Sequence, residues 1–294
     1  MMLTKNVKKI TSKTINTTLV YIGLIIASLV VVMPFLIVFV TSFKTIPDAS
    51  SFHFTLIGKK DGISFQGYEA IFEYINFDTG LPLMLIGFLN TMLTSVLPTV
   101  TSLFLSALAA FAFAKIKFKH SKLFFDILIF TMMIPGTILI IPHYKMYEWF
   151  GWLTSYAPLT LIVPGLWGGA SMIFFLRQFM YSIPDSLIES AKLDGLSWFG
   201  IFNKIILPLI VPAMLAQGLL AFISRYNAYL GPKLYLSDEV QFTLQLVVSN
   251  FGSGNNNAPA VMASALITIV PILIIYTIFQ KYFVEGIATT GMKL

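Results

Sequence analysis

Three stretches of this 294-residue chain carry residue types at spacings that chemistry uses. In GIATTGMKL, Gly286 and Gly291 stand as far apart as the glycines of a phosphate-cradling loop. Such a loop needs Lys directly after its second glycine and then Ser or Thr; here Met292 takes the first place and no hydroxyl follows Lys293. In FGSGNN, Ser253 is a nucleophile type, but no histidine in a nearby element could take its proton. His53, His120 and His143 are scattered, and there is no Cys, so no metal site, thiolate or disulfide is expected. The chain therefore reads as non-catalytic, with no cofactor of its own. The third stretch is IESAKLDG, residues 188–195, which puts Glu189, Lys192 and Asp194 into an otherwise oily surrounding. It has no hydrolytic pattern, and what three charges closed by a glycine can do is bind another protein.

The elements around it must be sought in lipid. The chain is 57% hydrophobic and 11% charged, against roughly a quarter charged in soluble domains. A net charge of +6 does not point to nucleic acid, because no basic face is clustered on a soluble fold. Six runs are long and apolar enough to cross a bilayer: 18–41, 85–114, 123–142, 158–175, 206–223 and 259–279. The first follows Lys5, Lys8, Lys9 and Lys13; it exceeds a signal-peptide core and lacks a small-x-small cleavage site, so it reads as a retained span. Pro98, Pro135, Pro164, Pro212 and Pro271 lie in these runs, tolerable where neighbouring helices re-satisfy the backbone. Gly165, Gly168 and Gly169 are expected points of close helix approach. In the outer connections, the run SFQGYEAIFEYINF predicts a short surface helix, and YKMYEWFGWLTSYAP an interfacial one with Trp149 and Trp152 at headgroup level.

Basic residues set the orientation. The N-terminal arm, Lys115, Lys117, Lys119, Lys122, Arg177, Lys192, Lys204, Lys281 and Lys293 fall on one side; only Lys44, Lys59, Lys60, Lys145, Arg225 and Lys233 fall on the other. Both termini and IESAKLDG are thus expected in the cytoplasm. No span centre carries an ionisable group, Asp126 lying near the cytoplasmic lysines, so ion-coupled transport has no evident carrier.

From Ser182 the chain reads SIPDSLIESAKLDGLSWFGIFNKIILP. Ser182 with Asp185 three residues on is a capping-box pattern, and Pro184 suits a first helical turn. Ile183, Leu187 and Ala191, with Ile188 beside them, predict one apolar face. Gly195 should end this helix in a left-handed conformation, Ser197 should cap a second one, and Pro208 should restart the chain into span five. The result is a helix-turn-helix joined to a span, fit for insertion into a groove on another protein. A helix resting on lipid would favour a lysine-rich face, whereas Asp185, Glu189 and Asp194 outnumber Lys192.

This stretch resembles the EAA loop of ABC-importer permeases: E-A-A, three residues, G, nine unspecified residues, then I-x-L-P. Here these are Glu189, Ser190, Ala191, Gly195, Ile205, Leu207 and Pro208, with Ser190 replacing the usual Ala and Asp194 before the glycine as in the carbohydrate branch. From about residue 85 onward the chain is similar to the MalG-type sugar permeases, including FFLRQFMYSIPDSLIESAKLDG and the closing QKYFVEGIATTGMKL. The resemblance implies an all-α integral membrane protein of six transmembrane helices, N-in and C-in, with a cytoplasmic coupling helix at 182–208. Residues 1–84 would form the arm, first span and outer loop, and 85–294 the permease domain. It implies half of a heterodimeric pore in the cell membrane, a second permease subunit, a cytoplasmic ATPase dimer that alone binds ATP and Mg, and an extracellular or periplasmic solute-binding protein. Coupling would run through Asp185, Leu187, Glu189, Ser190, Ala191, Asp194, Gly195, Ile205, Leu207 and Pro208. Tyr226, Asn227 and Tyr229 could stack on or hydrogen-bond a sugar, Tyr226 standing where the family usually has Trp; the same residues equally suit an interfacial aromatic pair with a capping Asn. Asn90 either faces the pore or bonds a neighbouring helix. Gly252, Ser253, Gly254, Asn255 and Asn256 sit in an expected loop where similar permeases reach the binding protein. The rival readings are an ion-coupled carrier, an ABC permease for a solute other than sugar, and a membrane scaffold.

Overall fold

The computed structural model describes the backbone of residues 2–51, 55–58, 62–154, 156–254 and 257–291. Among the described residues its regular secondary structure is helical apart from two isolated bridges, and the chain divides into two compact units.

The first unit, Met1–Ile71 with Phe251–Ile267, is dominated by α1 (Met2–Ser42). Its stretch Thr17–Ser42 is a candidate span whose apolar side chains are almost all exposed, from Leu19 to Phe39. A surface of that kind is stable only against lipid or another protein. Where α1 ends, Phe43 packs on Phe39, Phe65 and Tyr68, with ring centroids between 5.2 and 5.5 Å apart, and Ser42 bonds the Tyr68 hydroxyl at 3.0 Å. The surface helix expected around SFQGYEAIFEYINF is present as α2 (Gln66–Glu73). Its Ile71 is buried with Ala260 and Ala263, and Gly67 lies so near the Pro259 carbonyl that a Cβ would fall 2.6 Å from it.

The second unit, Phe72–Asn250 with Thr268–Leu294, is built on α3 (Leu83–Lys115). Pro98 does not break α3, because the helix is held on several sides. Next come α4 (Ser121–Met132) and α5 (Ile140–Trp149), then a turn of helix at Leu159–Ile162 with a 3-10 turn at Val163–Leu166. They are followed by α6 (Ala170–Tyr181), α7 (Asp185–Leu193), α8 (Trp198–Tyr226), α9 (Leu230–Tyr235), α10 (Leu244–Gly254) and α11 (Ala258–Gly291). Helix α11 gives its first residues to the first unit and the remainder to the second. The core joins Ala107, Ala110 and Phe111 of α3 to Leu176 and Met180 of α6 and to Ile201, Phe202, Ile206, Ile210 and Ala213 of α8. Small residues set the spacing: a Cβ on Gly165 would fall 2.7 Å from Pro98, and one on Gly168 3.0 Å from the Ser106 hydroxyl, while Gly169 N donates to that hydroxyl.

Five helical stretches are long and apolar enough to span: Thr17–Ser42, Leu83–Lys115, Leu159–Tyr181, Trp198–Tyr226 and Ala258–Lys281. The expected span at 123–142 falls on a pair of helices, Ser121–Met132 and Gly136–Trp149, bent by 83°. The cause is local: Pro135 cannot donate to the ladder, and it is extended, with Gly136 behind it. Counted as one crossing, the pair makes a sixth. Two further boundaries differ from expectation. The stretch before α6 is broken at Trp167, whose ψ of 158° is extended, and α6 runs on to Tyr181 rather than stopping at 175. The helix that carries the expected run 206–223 begins earlier, at Trp198.

Candidate functional site

At the end of α6 the chain turns sharply. Ser182 does not start a capping box as its spacing predicted; it closes α6, its Oγ donating to the Phe179 carbonyl at 2.7 Å. Pro184, with ψ of 135°, carries the chain away, and α7 starts at Asp185 without a side-chain cap. Its anchor is elsewhere. Lys115, at the last turn of α3, donates through Nζ to the Ile183 carbonyl and to the Asp185 carboxylate, both at 2.6 Å. That hydrogen bond, and the charge of Lys115 with a smaller part from Lys117, holds the Asp185 carboxyl below its ordinary pKa.

The faces of α7 follow the apolar pattern with one change. Ile183, Ile188 and Ala191 are buried in the core, whereas Leu187 turns outward and is 43% exposed. The expected face was one residue too wide, because 183, 188 and 191 already fill the stripe that meets the core. Glu189, Ser190 and Asp194 are exposed, and Leu193 is 89% exposed. The helix ends as expected: Gly195 has φ of +80°, its N–H donates to Lys192 O, and Leu196 N–H reaches back to Ala191 O, both at 3.0 Å. This double closure satisfies carbonyls at the helix end and fixes the exit direction of the chain. Lys192 Nζ lies 3.9 Å from the Trp198 ring centroid, and Ser197 Oγ accepts from Gly200 N at 3.2 Å, capping the next helix as its position predicted.

That next helix is not separate from span five. Trp198–Ile201 passes through a π turn, Phe202–Ile206, into Leu207–Tyr226 without a break. Pro208 has no N–H to donate and its ring crowds the carbonyl one turn back, so the wider turn before it accommodates the ring. Ile205 and Leu207 pack against the core and Pro208 is exposed. The 29 residues of α8 make a rod about 43 Å long. Helix α7 is thus tied at one end by Lys115 and at the other by its glycine closure onto that rod.

At the far end of α8 polar groups gather differently. Arg225 donates to Thr99 Oγ1 at 3.1 Å, to Ser102 Oγ at 3.2 Å and to the Gly165 carbonyl at 3.4 Å. It is half-buried. Tyr226 is fully buried and its hydroxyl donates to Thr268 O at 2.9 Å. Asn227 is exposed and accepts from Gln245 Nε2 at 3.2 Å. The Tyr229 hydroxyl lies 2.8 Å from Lys233 Nζ and 3.1 Å from Ser249 Oγ, and these bonds lower its pKa. Asn90 donates to the Val240 and Phe242 carbonyls at 2.8 and 3.0 Å, the neighbour-bonding alternative. Among the described residues, no hydrogen bond joins the side chains of Asn90, Tyr226, Asn227 and Tyr229 to one another. Gly252 and, by their backbone, Ser253 and Gly254 are helical at the end of α10 rather than looped; Asn255 and Asn256 lie outside the described residues.

Sequence reasoning missed the partners of Arg225. They belong to a buried stripe on α3: Thr91, Thr94, Ser95, Thr99, Ser102 and Ser106. The signal was there, since small hydroxyls recur every three or four residues in TMLTSVLPTVTSLFLS. Among the described residues no group of three His, Asp or Glu side chains is arranged to hold a metal ion.

Comparison with known proteins places nearly the whole chain. Residues 2–289 match the family described as the binding-protein-dependent transport system inner membrane component. The arabinooligosaccharides transport system permease protein of Halalkalibacterium halodurans is 29% identical, covering 94% of this chain and 96% of that one. The polygalacturonan/rhamnogalacturonan transport system permease protein of Bacillus subtilis is 30% identical over 94% of this chain and 97% of its own. The sn-glycerol-3-phosphate transport system permease protein of Salmonella typhi is 33% identical over 68% and 71%. A crystal structure of a bacterial ABC transporter that imports the acidic polysaccharide alginate contains a chain with TM-score 0.79 and 25% identity, covering 92% of this chain and 98% of that one.

Proposed function

The chain belongs to the family of inner membrane components of binding-protein-dependent transport systems, and from that premise we propose that it is the permease subunit of an ATP-driven sugar importer. It forms half of a pore with a second permease. A solute-binding protein delivers a mono- or oligosaccharide outside, and an ATPase dimer that carries the ATP and Mg acts from the cytoplasm. The chain itself is non-catalytic. It crosses the membrane six times, with the bent pair as the third crossing and both termini inside.

One observation carries the reading: α7 exposes Glu189, Ser190 and Leu193 while both its ends are pinned. Exposed apolar and charged groups on a fixed short helix suit insertion into a cleft on the ATPase. Closure of the ATPase dimer then pushes α7, and α8 carries the movement into the bilayer. Asn227 and Tyr229, both exposed at the outer end, are the candidates for sugar contact; Asn90 and Tyr226 act there by holding α3 and α8 in place. The end of α10, from Gly252, is the candidate for contact with the binding protein. The similarity to a glycerol-3-phosphate permease favours a phosphorylated polyol as the second reading.

The test is reconstitution of the co-expressed complex in proteoliposomes with ATP enclosed and binding protein outside. Sugar uptake that needs both supports the proposal; uptake by this chain alone, driven by an ion gradient, overturns it. The natural absence of Cys allows a clean topology assay. Ser190→Cys is expected to react with an impermeant maleimide only from the cytoplasmic face, and labelling from outside sinks the coupling role.

A further inference from the structure

A cleft of about 640 Å³ opens beside the joint between α3 and α4, walled by the ends of α6 and the first turn of α7. Four cations line it, Lys115, Lys117, Lys122 and Arg177, against two acids, Asp126 and Asp185. Lys115 is spent on Asp185 and on the Ile183 carbonyl. Lys117 and Lys122 are exposed and form no ion pair with the described residues, and Lys122 is not paired with Asp126 one turn along. Arg177 is half-buried. Its guanidinium carbon sits 3.7 Å from the Phe125 ring centroid and 4.6 Å from that of Tyr181, and Nε donates to the Phe113 carbonyl at 3.3 Å. Its two terminal nitrogens have no acceptor among the described residues. The two rings fix the orientation of a cation whose hydrogen-bonding fork is left open. The turn that brings Lys117 and Lys122 to one opening is itself unusual, since His120 has φ of +65°, a left-handed conformation rare outside glycine.

We propose that this cleft binds the phosphate headgroup of an anionic phospholipid. An open guanidinium fork with two free ammonium groups matches a phosphodiester in charge and in hydrogen bonding. The surroundings favour a lipid over a soluble phosphate. The cleft runs into the outer face of α4, where Leu123, Phe124, Ile127 and Phe130 are each more than half exposed. Acyl chains can lie on those side chains while the phosphate sits among the cations. Because Lys115 joins the cleft to Asp185, the bound headgroup would stiffen the pinned end of α7. The inference needs only that the spans lie in a bilayer, so it stands or falls separately from the sugar-import reading.

Native mass spectrometry of the delipidated complex, titrated with phosphatidylglycerol, phosphatidylcholine or inorganic phosphate, tests it. Wild type should retain phosphatidylglycerol in preference to phosphatidylcholine and leave inorganic phosphate unbound. The double variant Lys117→Gln/Lys122→Gln should lose that preference by roughly tenfold, while Lys145→Gln, an exposed lysine outside the cleft, should keep it. Equal retention of both lipids, an unchanged preference in the double variant, or inorganic phosphate binding as tightly as the lipid would each overturn the proposal. So would release of the ATPase subunit, rather than lipid, from the double variant.

Discussion

The two ends of α8 hold their polar groups in opposite states. Before its start, on α7, Glu189, Ser190 and Asp194 are exposed while the backbone around them is closed down by Gly195, Ser197 and the Lys115 anchor. At its finish, Arg225 and Tyr226 are turned inward, each bonded to hydroxyls or carbonyls of other elements. Hydrocarbon offers no hydrogen bonds, so a polar group near the bilayer must find its partner within the protein. Polar side chains that a rigid segment leaves unused are the ones available to a partner. The contrast separates an end whose polar side chains are left open, where docking is proposed, from an end whose polar side chains are satisfied, and it can be attacked at either.

The largest effect is expected from Glu189→Lys. The side chain is exposed and supports nothing in the fold, so folding and membrane insertion should be unchanged. Charge reversal at the contact should weaken ATPase retention by more than about tenfold and abolish uptake. Co-purification from detergent measures it, and full retention of the ATPase would erase the distinction between the two ends. Next is Gly195→Val. At φ of +80° a β-branched residue is strained by about 1–3 kcal/mol, although no atom lies within 4 Å of its Cβ position. The strain is relieved by opening the glycine closure, which slackens that tie of α7. Uptake should fall about tenfold while ATP hydrolysis continues, so the ratio of sugar moved to ATP spent is the quantity to follow.

Arg225→Met attacks the other end. It removes three hydrogen bonds from a half-buried cation, which predicts a loss of about 2 kcal/mol in stability. Thr99 and Ser102 can turn back to carbonyls of their own helix, so the cost stays below that of an unpartnered charge. ATPase retention should be unaffected. A lower unfolding temperature with normal co-purification sharpens the comparison, and a detached ATPase with normal stability breaks it.

Legibility of the sequence divides along the same line. Gly195 and Ser197 were readable because each acts through its own backbone neighbourhood: a left-handed closure and an N-cap need only a few residues of context. The buried face of α7 was nearly readable, failing at Leu187, because periodicity fixes the direction of a stripe but the partner surface fixes its width. Ser182 failed because two helix ends compete for it, and the C-terminal turn of α6 won. The break at Pro135 was visible as a proline but not as an 83° bend, since Pro98 and Pro212 sit inside unbroken helices; packing on either side decides between these outcomes. The burial of Arg225 was not readable, because a charge at the end of an apolar run gives no sign of its partners until the hydroxyl stripe on α3, more than 120 residues earlier, is matched to it.

The smallest predicted effect concerns the anchor that joins docking and structure, Lys115 with Asp185. Lys115 is 4% exposed and Asp185 76%, so the pair is asymmetric: the lysine is committed to the fold and the carboxylate is open to solvent. The Asp185 pKa is depressed in the folded chain, chiefly by the Lys115 hydrogen bond. Its contribution is therefore fully present above the ordinary Asp value of about 3.9 and is lost as pH falls through the lower folded value. Asp185→Asn should lower the unfolding temperature slightly at pH 7, and the difference from wild type should shrink as pH falls below the ordinary Asp value and vanish once the folded carboxyl is protonated. Lys115 still reaches the Ile183 carbonyl in that variant, so α7 keeps one of its two ties. Coupling should drop less than in Gly195→Val, which loosens the other joint. If Asp185→Asn instead uncouples transport as severely as Glu189→Lys, with no change in stability, then Asp185 belongs to the docking surface and not to the anchor.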